Sequence, residues 1–97
     1  MVYVDELRKY PWARAACFRD GACHMMADTE EELHAMAERI GLRRSWFQAP
    51  PQASVPHYDL TASRRALAIR YGAVFKPGKE QARERIQAKR LLQAKEK

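Results

Sequence analysis

The segment ACHMMADTEEELHAMAERIGL, residues 22–42, constrains the fold most, because a short apolar run leads directly into a helix with defined ends. Thr29 and Glu32 have the S/T-x-x-E spacing of a capping box, which marks a helix N-terminus. Apolar residues then recur at helical spacing, and Gly41 follows where a helix C-terminus favours a left-handed residue. The pattern predicts a strand followed at once by an amphipathic helix.

Other strand-like and helix-like segments recur along the chain. MVYVD at the N-terminus, RRSWFQ at residues 43–48 and AVF at residues 73–75 are predicted strands. Residues 61–71 are predicted to form a second helix, closed by Gly72. Strands that alternate with helices favour an α/β fold, here a small, mostly parallel sheet with flanking helices.

The length and the charge distribution divide the chain into two parts. With 97 residues the chain supports one small domain, which we assign to residues 1–76. Residues 76–97 hold eight Lys or Arg against three Asp or Glu, and so supply most of the net charge of +6. Residues 77–97 are therefore a predicted basic extension, a C-terminal helix or flexible tail, which fits contact with nucleic acid or a solvated helix.

Targeting signals and cysteine frameworks are missing from the sequence. Charge at Asp5 interrupts the N-terminal apolar residues, and no later run approaches the length of a membrane span, so we expect no membrane contact and a cytoplasmic location. Cys17 and Cys23 are too few for a disulfide framework and are expected to be free thiols. The connection before Cys23 is predicted to hold a helical turn between Ala13 and Phe18.

Polar side chains follow the predicted strands, where open α/β sheets bind ligands. Asp5 ends the first strand and Asp28 follows the second, while Gln48 ends the third and His57 and Asp59 precede the second helix. If the strands are mostly parallel, all five should gather at the carboxyl edge of the sheet.

The stretch HYDLTASRR places two cations in the first turn of a helix, where the helix dipole favours acidic residues. Asp59 or Thr61 is a candidate cap, and the N–H groups beyond it could join Arg64 and Arg65 in binding a phosphate or carboxylate. The alternative is structural: Arg64 pairs with Asp5 or Asp59, and Arg65 is solvated.

Two kinds of metal site are consistent with the residue types. Asp5, Asp28 and Asp59 could bind Mg²⁺ together, although Asp28 and Asp59 could equally be helix caps. For a transition metal, suitable nitrogen or sulfur ligand atoms are present in Cys23, His24, His34 and His57. Neighbours on a strand point to opposite faces, so only one of Cys23 and His24 could join the others. Cys23 could also be a nucleophile, but a buried inert thiol is the ordinary case.

Four blocks of sequence together resemble a family of small bacterial and phage proteins, catalogued as domain of unknown function 4031. These blocks are YVDELRKYPW, CHMMADTEEELHAMAERIGL, RRSWFQ and HYDLTASRRALAIRYGA. The resemblance covers residues 1 to about 75 and implies a shared fold and a shared site, but it does not imply any particular reaction. The sequence contains no P-loop, GxGxxG, GxSxG or HExxH motif.

The predicted function is binding of a phosphate-containing ligand, a nucleotide or nucleic acid, with possible hydrolytic phosphodiester or phosphoryl chemistry. His57 would act as acid or base, with Asp5 and Asp28 holding a metal or water. The predicted ligand-binding residues are His24, Gln48, Asp59, Thr61, Arg64 and Arg65. The alternative is a non-catalytic module that binds nucleic acid or protein through the basic tail.

Overall fold

The computed structural model describes residues 1–9 and 21–95. Within them, one sheet contains β1 (Val2–Val4), β2 (Ala22–Ala27), β3 (Tyr58–Thr61) and β4 (Val74–Phe75). The helices are α1 (Glu30–Arg39), α2 (Ala62–Arg70) and α3 (Gly78–Lys95), and a short 3₁₀ helix spans Arg44–Trp46. The α/β class predicted from the sequence is confirmed, whereas the turn predicted between Ala13 and Phe18 lies outside the described residues.

The sheet is mixed, so the prediction of a mostly parallel sheet is wrong. Its strands lie in the order β3–β2–β1–β4. β2 runs antiparallel to both β1 and β3, and only β4 runs parallel to β1. Two departures account for this difference. β2 pairs antiparallel with β1, and the third strand is YDLT instead of RRSWFQ and also pairs antiparallel with β2.

The segment RRSWFQ is not a strand. Its centre forms the 3₁₀ helix, and Gln48 alone pairs through its backbone, in an isolated bridge with His57. Phe47 packs against the core, whereas Trp46 is 46% exposed. The adjacent aromatic residues Trp46 and Phe47 were therefore a misleading strand signal, because they lie in the 3₁₀ helix and just after it, beside the sheet.

The helix caps follow the sequence signals. Thr29 caps α1 by accepting a hydrogen bond from the backbone of Glu32, which confirms the predicted N-cap, and the Thr29 hydroxyl donates to Glu32 Oε1 at 3.0 Å. Gly41 has φ +80°, the left-handed conformation expected at this helix end. Thr61 caps α2 by accepting from the Arg64 backbone, so Thr61, and not Asp59, is the cap.

The two faces of the sheet differ in composition because side chains alternate along each strand. One face is the core: buried Val4, Met25 and Leu60 pack with residues of α1 and α2. The opposite face carries His24 and Asp59, which are only partly buried. We call this second surface the open face of the sheet.

Helix α3 begins beside the open face. The backbone N–H of Gly78 donates to Glu6 Oε1, and the buried Gln81 side chain donates to the Lys76 carbonyl. Ile86 and Leu91, further along the helix, are exposed. No helix within the described residues has the length and apolar character needed to cross a membrane.

Candidate metal centre

Three neighbouring strands bring acidic and imidazole side chains together on the open face. His24 in β2 is paired with Asp59 in β3. His57 lies two residues before Asp59 and therefore points to the same face. Asp5 follows β1, and its backbone N–H donates to the His24 carbonyl at 3.2 Å. The antiparallel pairing of β2 thus places these four residues side by side across the sheet.

Asp5 fixes the orientation of His24. Its Oδ1 accepts from the His24 backbone N–H at 2.6 Å, and its Oδ2 lies 2.8 Å from His24 Nδ1. With Asp5 as the acceptor, Nδ1 carries the hydrogen, and in the neutral ring Nε2 offers its lone pair. The hydrogen bond to Asp5 also raises the pKa of His24.

His57 has the same arrangement with a different partner. Its Nδ1 lies 2.8 Å from the Val55 carbonyl oxygen, which can only accept, so Nε2 is again the lone-pair nitrogen of the neutral ring. Nε2 lies 3.5 Å from Asp59 Oδ1. Interaction with the Asp59 carboxylate raises the pKa of His57.

Asp59 presents one oxygen to both histidines. Its Oδ1 lies 3.8 Å from His24 Nε2 and 3.5 Å from His57 Nε2. Its Oδ2 accepts from the Gln48 side chain at 2.7 Å. The interaction with His57 lowers the pKa of Asp59, so this group is a carboxylate at neutral pH.

The ligand atoms of His24, His57 and Asp59 all lie within 4.8 Å of one another. Two atoms that each bind a tetrahedral zinc ion at about 2.0–2.1 Å are themselves about 3.3 Å apart, close to the nitrogen–oxygen distances here. Imidazole and carboxylate ligands suit zinc and similar transition metals, whereas Mg²⁺ prefers oxygen ligands. The geometry therefore favours a transition metal over the Mg²⁺ considered from sequence.

Two cavities border this centre. A cavity of about 390 Å³ is bordered by His24, His57 and Arg85, and it also reaches Gly78 at the start of α3. A cavity of about 520 Å³ is bordered by Asp59 and six other residues. These are Leu42, Ser45, Trp46, Gln48, Thr61 and Arg64. The centre is thus accessible from two sides, on a face of the sheet and not at its carboxyl edge.

Asp28 is not part of this centre. Because β1 and β2 are antiparallel, Asp28 lies beside Met1, at the end of β1 opposite to Asp5. Its carboxylate accepts from the Tyr3 hydroxyl at 3.1 Å and lies 3.3 Å from the N-terminal amine. The prediction that Asp28 joins Asp5 at one edge is wrong, and the proposed Mg²⁺ ligand set of Asp5, Asp28 and Asp59 is not brought together.

Arg64 and Arg65, in the first turn of α2, both donate to main-chain carbonyls. Arg64 Nη1 donates to the carbonyl of Ile40, the C-terminal cap residue of α1. Arg65 Nε donates to the Asp5 carbonyl at 3.0 Å. These contacts connect α2 to the end of α1 and to the end of β1. Arg64 and Thr61 also border the larger cavity, so their role in ligand binding stays a prediction.

The other candidates for metal binding lie on the core side of the sheet. His34 contacts the Tyr58 hydroxyl through Nδ1 at 2.9 Å, and burial lowers its pKa. Cys23 is 1% exposed, and burial raises the pKa of its thiol to about 12. Neither side chain reaches the open face, so neither joins His24.

We expect the Cys23 thiol to be unreactive in the folded protein, because the thiolate is both buried and disfavoured at neutral pH. In a Cys17→Ser variant, a thiol reagent at about pH 8 should label Cys23 only after denaturant is added. Labelling of the native variant at the rate of a free thiol would contradict this and restore Cys23 as a candidate nucleophile.

All three residues of the centre, His24, His57 and Asp59, were named as candidates from the sequence but were not grouped together. The missing signal was the alternation in HYDLT: His57 and Asp59 lie two residues apart and share a face if this segment is a strand. Arg85 and Gly78 were also missed, because no local pattern places the start of α3 beside β2.

Comparison with known proteins identifies the family of the chain. No curated protein and no solved structure matched it. The model of one family, described as Protein of unknown function (DUF4031), matches residues 2–89 and so extends beyond the resemblance expected from the sequence into α3. The chain therefore belongs to the DUF4031 family of proteins of unknown function.

Proposed function

We propose that this protein is a metal-dependent hydrolase of phosphate esters, with Zn²⁺ as the preferred ion, bound by His24, His57 and Asp59. The observation that carries the proposal is that both Nε2 atoms face one carboxylate oxygen while both Nδ1 atoms already contact oxygen acceptors. Two histidines and one carboxylate, with a further position left for water or substrate, are typical of catalytic zinc.

The surrounding residues support the three ligands in this role. Asp5 holds the ring of His24, as carboxylates commonly do for metal-binding histidines, and Val55 does the same for His57 through its carbonyl. Gln48 holds Asp59 Oδ2, which leaves Oδ1 directed at the two rings. A bound zinc ion would act as a Lewis acid toward water and toward a phosphoryl oxygen.

Cations on both sides of the centre support a phosphate-containing substrate. Arg85 borders the smaller cavity and Arg64 the larger one. Guanidinium groups bind phosphate through paired hydrogen bonds, and they stabilise the negative charge on phosphoryl oxygens. In the proposed hydrolysis, a water oxygen bonds to phosphorus, the ester P–O bond breaks, and the leaving oxygen takes a proton from that water.

The test is an assay of chelator-treated protein on bis(p-nitrophenyl) phosphate after addition of Zn²⁺ or Mg²⁺. We expect Zn²⁺ to restore hydrolysis and Mg²⁺ to leave the protein inactive, because two of the three ligands are imidazoles. Asp59→Asn should abolish the zinc-dependent rate. Asp28→Asn is the matched control, since it makes the same chemical change outside the centre, and it should leave the rate unchanged.

Two results of this assay would contradict the proposal. One is equal activity of the Asp59→Asn variant, and the other is the absence of any zinc-dependent rate in a folded protein. The second result would favour the alternative function, a non-catalytic module that binds nucleic acid or protein through its basic C-terminal segment. The cytoplasmic setting in bacteria or phage stays a prediction from the sequence.

A further inference from the structure

Helix α3 carries a row of cations that leads away from the centre. Arg85 borders the smaller cavity, and its Nη1 lies 3.9 Å from Met26 Sδ on the open face. Lys89 follows four residues later, on the same side of the helix and about 6 Å along its axis. A substrate with a single phosphate at the centre would not reach Lys89, whereas a chain of phosphates would extend along this row.

The other side of the centre offers an aromatic surface. Trp46 is 46% exposed and borders the larger cavity together with Asp59. The guanidinium of Arg43 lies 5.8 Å from the centre of the indole ring. An exposed indole beside cations is a surface on which unpaired bases stack, because every base has a flat π-face. A base inside a duplex is stacked on its neighbours and could not use it.

We propose that the substrate is single-stranded nucleic acid, which runs along Arg85 and Lys89, crosses the His24–His57–Asp59 centre and stacks a base on Trp46. This inference rests on the proposed function, since it takes the metal centre as the site of cleavage. It selects a strand over a free nucleotide because Arg85 and the indole of Trp46 border different cavities, and only a chain of several nucleotides would contact both.

The first test measures binding of a fluorescent oligo(dT) of about 12 nucleotides by anisotropy over a range of salt concentrations. The Arg85→Gln, Lys89→Gln double variant removes two phosphate contacts. We therefore expect the slope of log K against log salt concentration to become shallower by about 1.4. Arg83→Gln, Arg90→Gln is the matched control. These two exposed residues lie on the opposite side of α3, and the net charge changes equally. The control should keep the slope of the original protein.

The second test concerns Trp46. In a Trp12→Phe background the chain has one tryptophan, because the sequence contains two. Oligo(dT) should quench the fluorescence of Trp46, and Trp46→Ala should weaken binding by on the order of 10-fold. A mononucleotide should cause little quenching at the same phosphate concentration. Similar quenching by the mononucleotide would overturn the choice of a strand.

Failure of this inference is distinguishable from failure of the proposed function. Binding is measured on metal-free protein, while hydrolysis of bis(p-nitrophenyl) phosphate reports on the centre alone. Equal loss of oligo(dT) affinity in both double variants would indicate nonspecific attraction and overturn the inference, even with an active metal centre. Absence of oligo(dT) binding would overturn it as well. Specific binding without zinc-dependent hydrolysis would instead overturn the proposed function.

Discussion

Replacing His24 or His57 by Gln should lower the affinity of the protein for Zn²⁺ by on the order of 100-fold. The free energy of zinc binding to a structural site with four ligands is about 10–16 kcal/mol, which is about 3 kcal/mol for each ligand. A loss of this size corresponds to about two powers of ten in Kd. Titration of metal-free protein with Zn²⁺ against a competing chelator measures the effect directly.

His34→Gln provides the matched control for these variants. His34 is the remaining histidine of the chain, and it contacts Tyr58 on the core side of the sheet. Its replacement should leave the zinc affinity unchanged, although it can lower the melting temperature. Asp5→Asn should give an intermediate loss of about 10–100-fold, because Asp5 orients His24 without being a ligand. Unchanged zinc affinity in the His24→Gln and His57→Gln variants would show that the metal binds elsewhere.

Zinc should also reverse the pH dependence of the stability of the fold. In the metal-free protein the pKa values of His24 and His57 are raised by their carboxylate partners, so the protonated rings stabilise the folded state. This stabilisation is complete below the unfolded pKa of about 6.5 and is lost as the pH rises through the raised folded pKa. The metal-free protein should therefore become less stable over this range.

With zinc present, the same titration acts in the opposite direction. The metal requires neutral imidazoles, so the free energy of unfolding should increase as the pH rises through the histidine pKa values. At a free zinc concentration of about 1,000 times Kd, the gain should be about 4 kcal/mol. Urea unfolding at several pH values, with chelator or with zinc, measures the slope of the free energy of unfolding against pH in both conditions. A zinc slope of the same sign as the chelator slope would contradict this account.

Local signals predicted α1 and the end of α2 well, because their causes lie within a few residues. The Thr29 cap, the helical spacing of apolar residues and Gly41 need no tertiary information. The short strands were harder to predict. β3 has four residues and ends at Thr61, which is also the cap of α2, so its sequence was interpreted as the approach to a helix.

The candidate centre depends on strand direction, and this is why the grouping of its residues could not be predicted from the sequence. With parallel strands, Asp28 would lie beside Asp5, whereas the antiparallel pairing of β1 and β2 puts His24 there instead. Direction is set by contacts between distant segments, here Val4 with Met25 and Met25 with Tyr58. The pattern within any single segment of this sequence does not predict those pairings.

The most direct measurement is an X-ray structure of the protein crystallised with Zn²⁺, with anomalous diffraction recorded at the zinc edge. We expect one strong peak about 2.0–2.2 Å from each of His24 Nε2, His57 Nε2 and Asp59 Oδ1, with Asp5 still bonded to His24 Nδ1. A zinc ion bound elsewhere, or no peak at this centre while His24 and His57 keep their contacts with Asp59, would contradict the central claim.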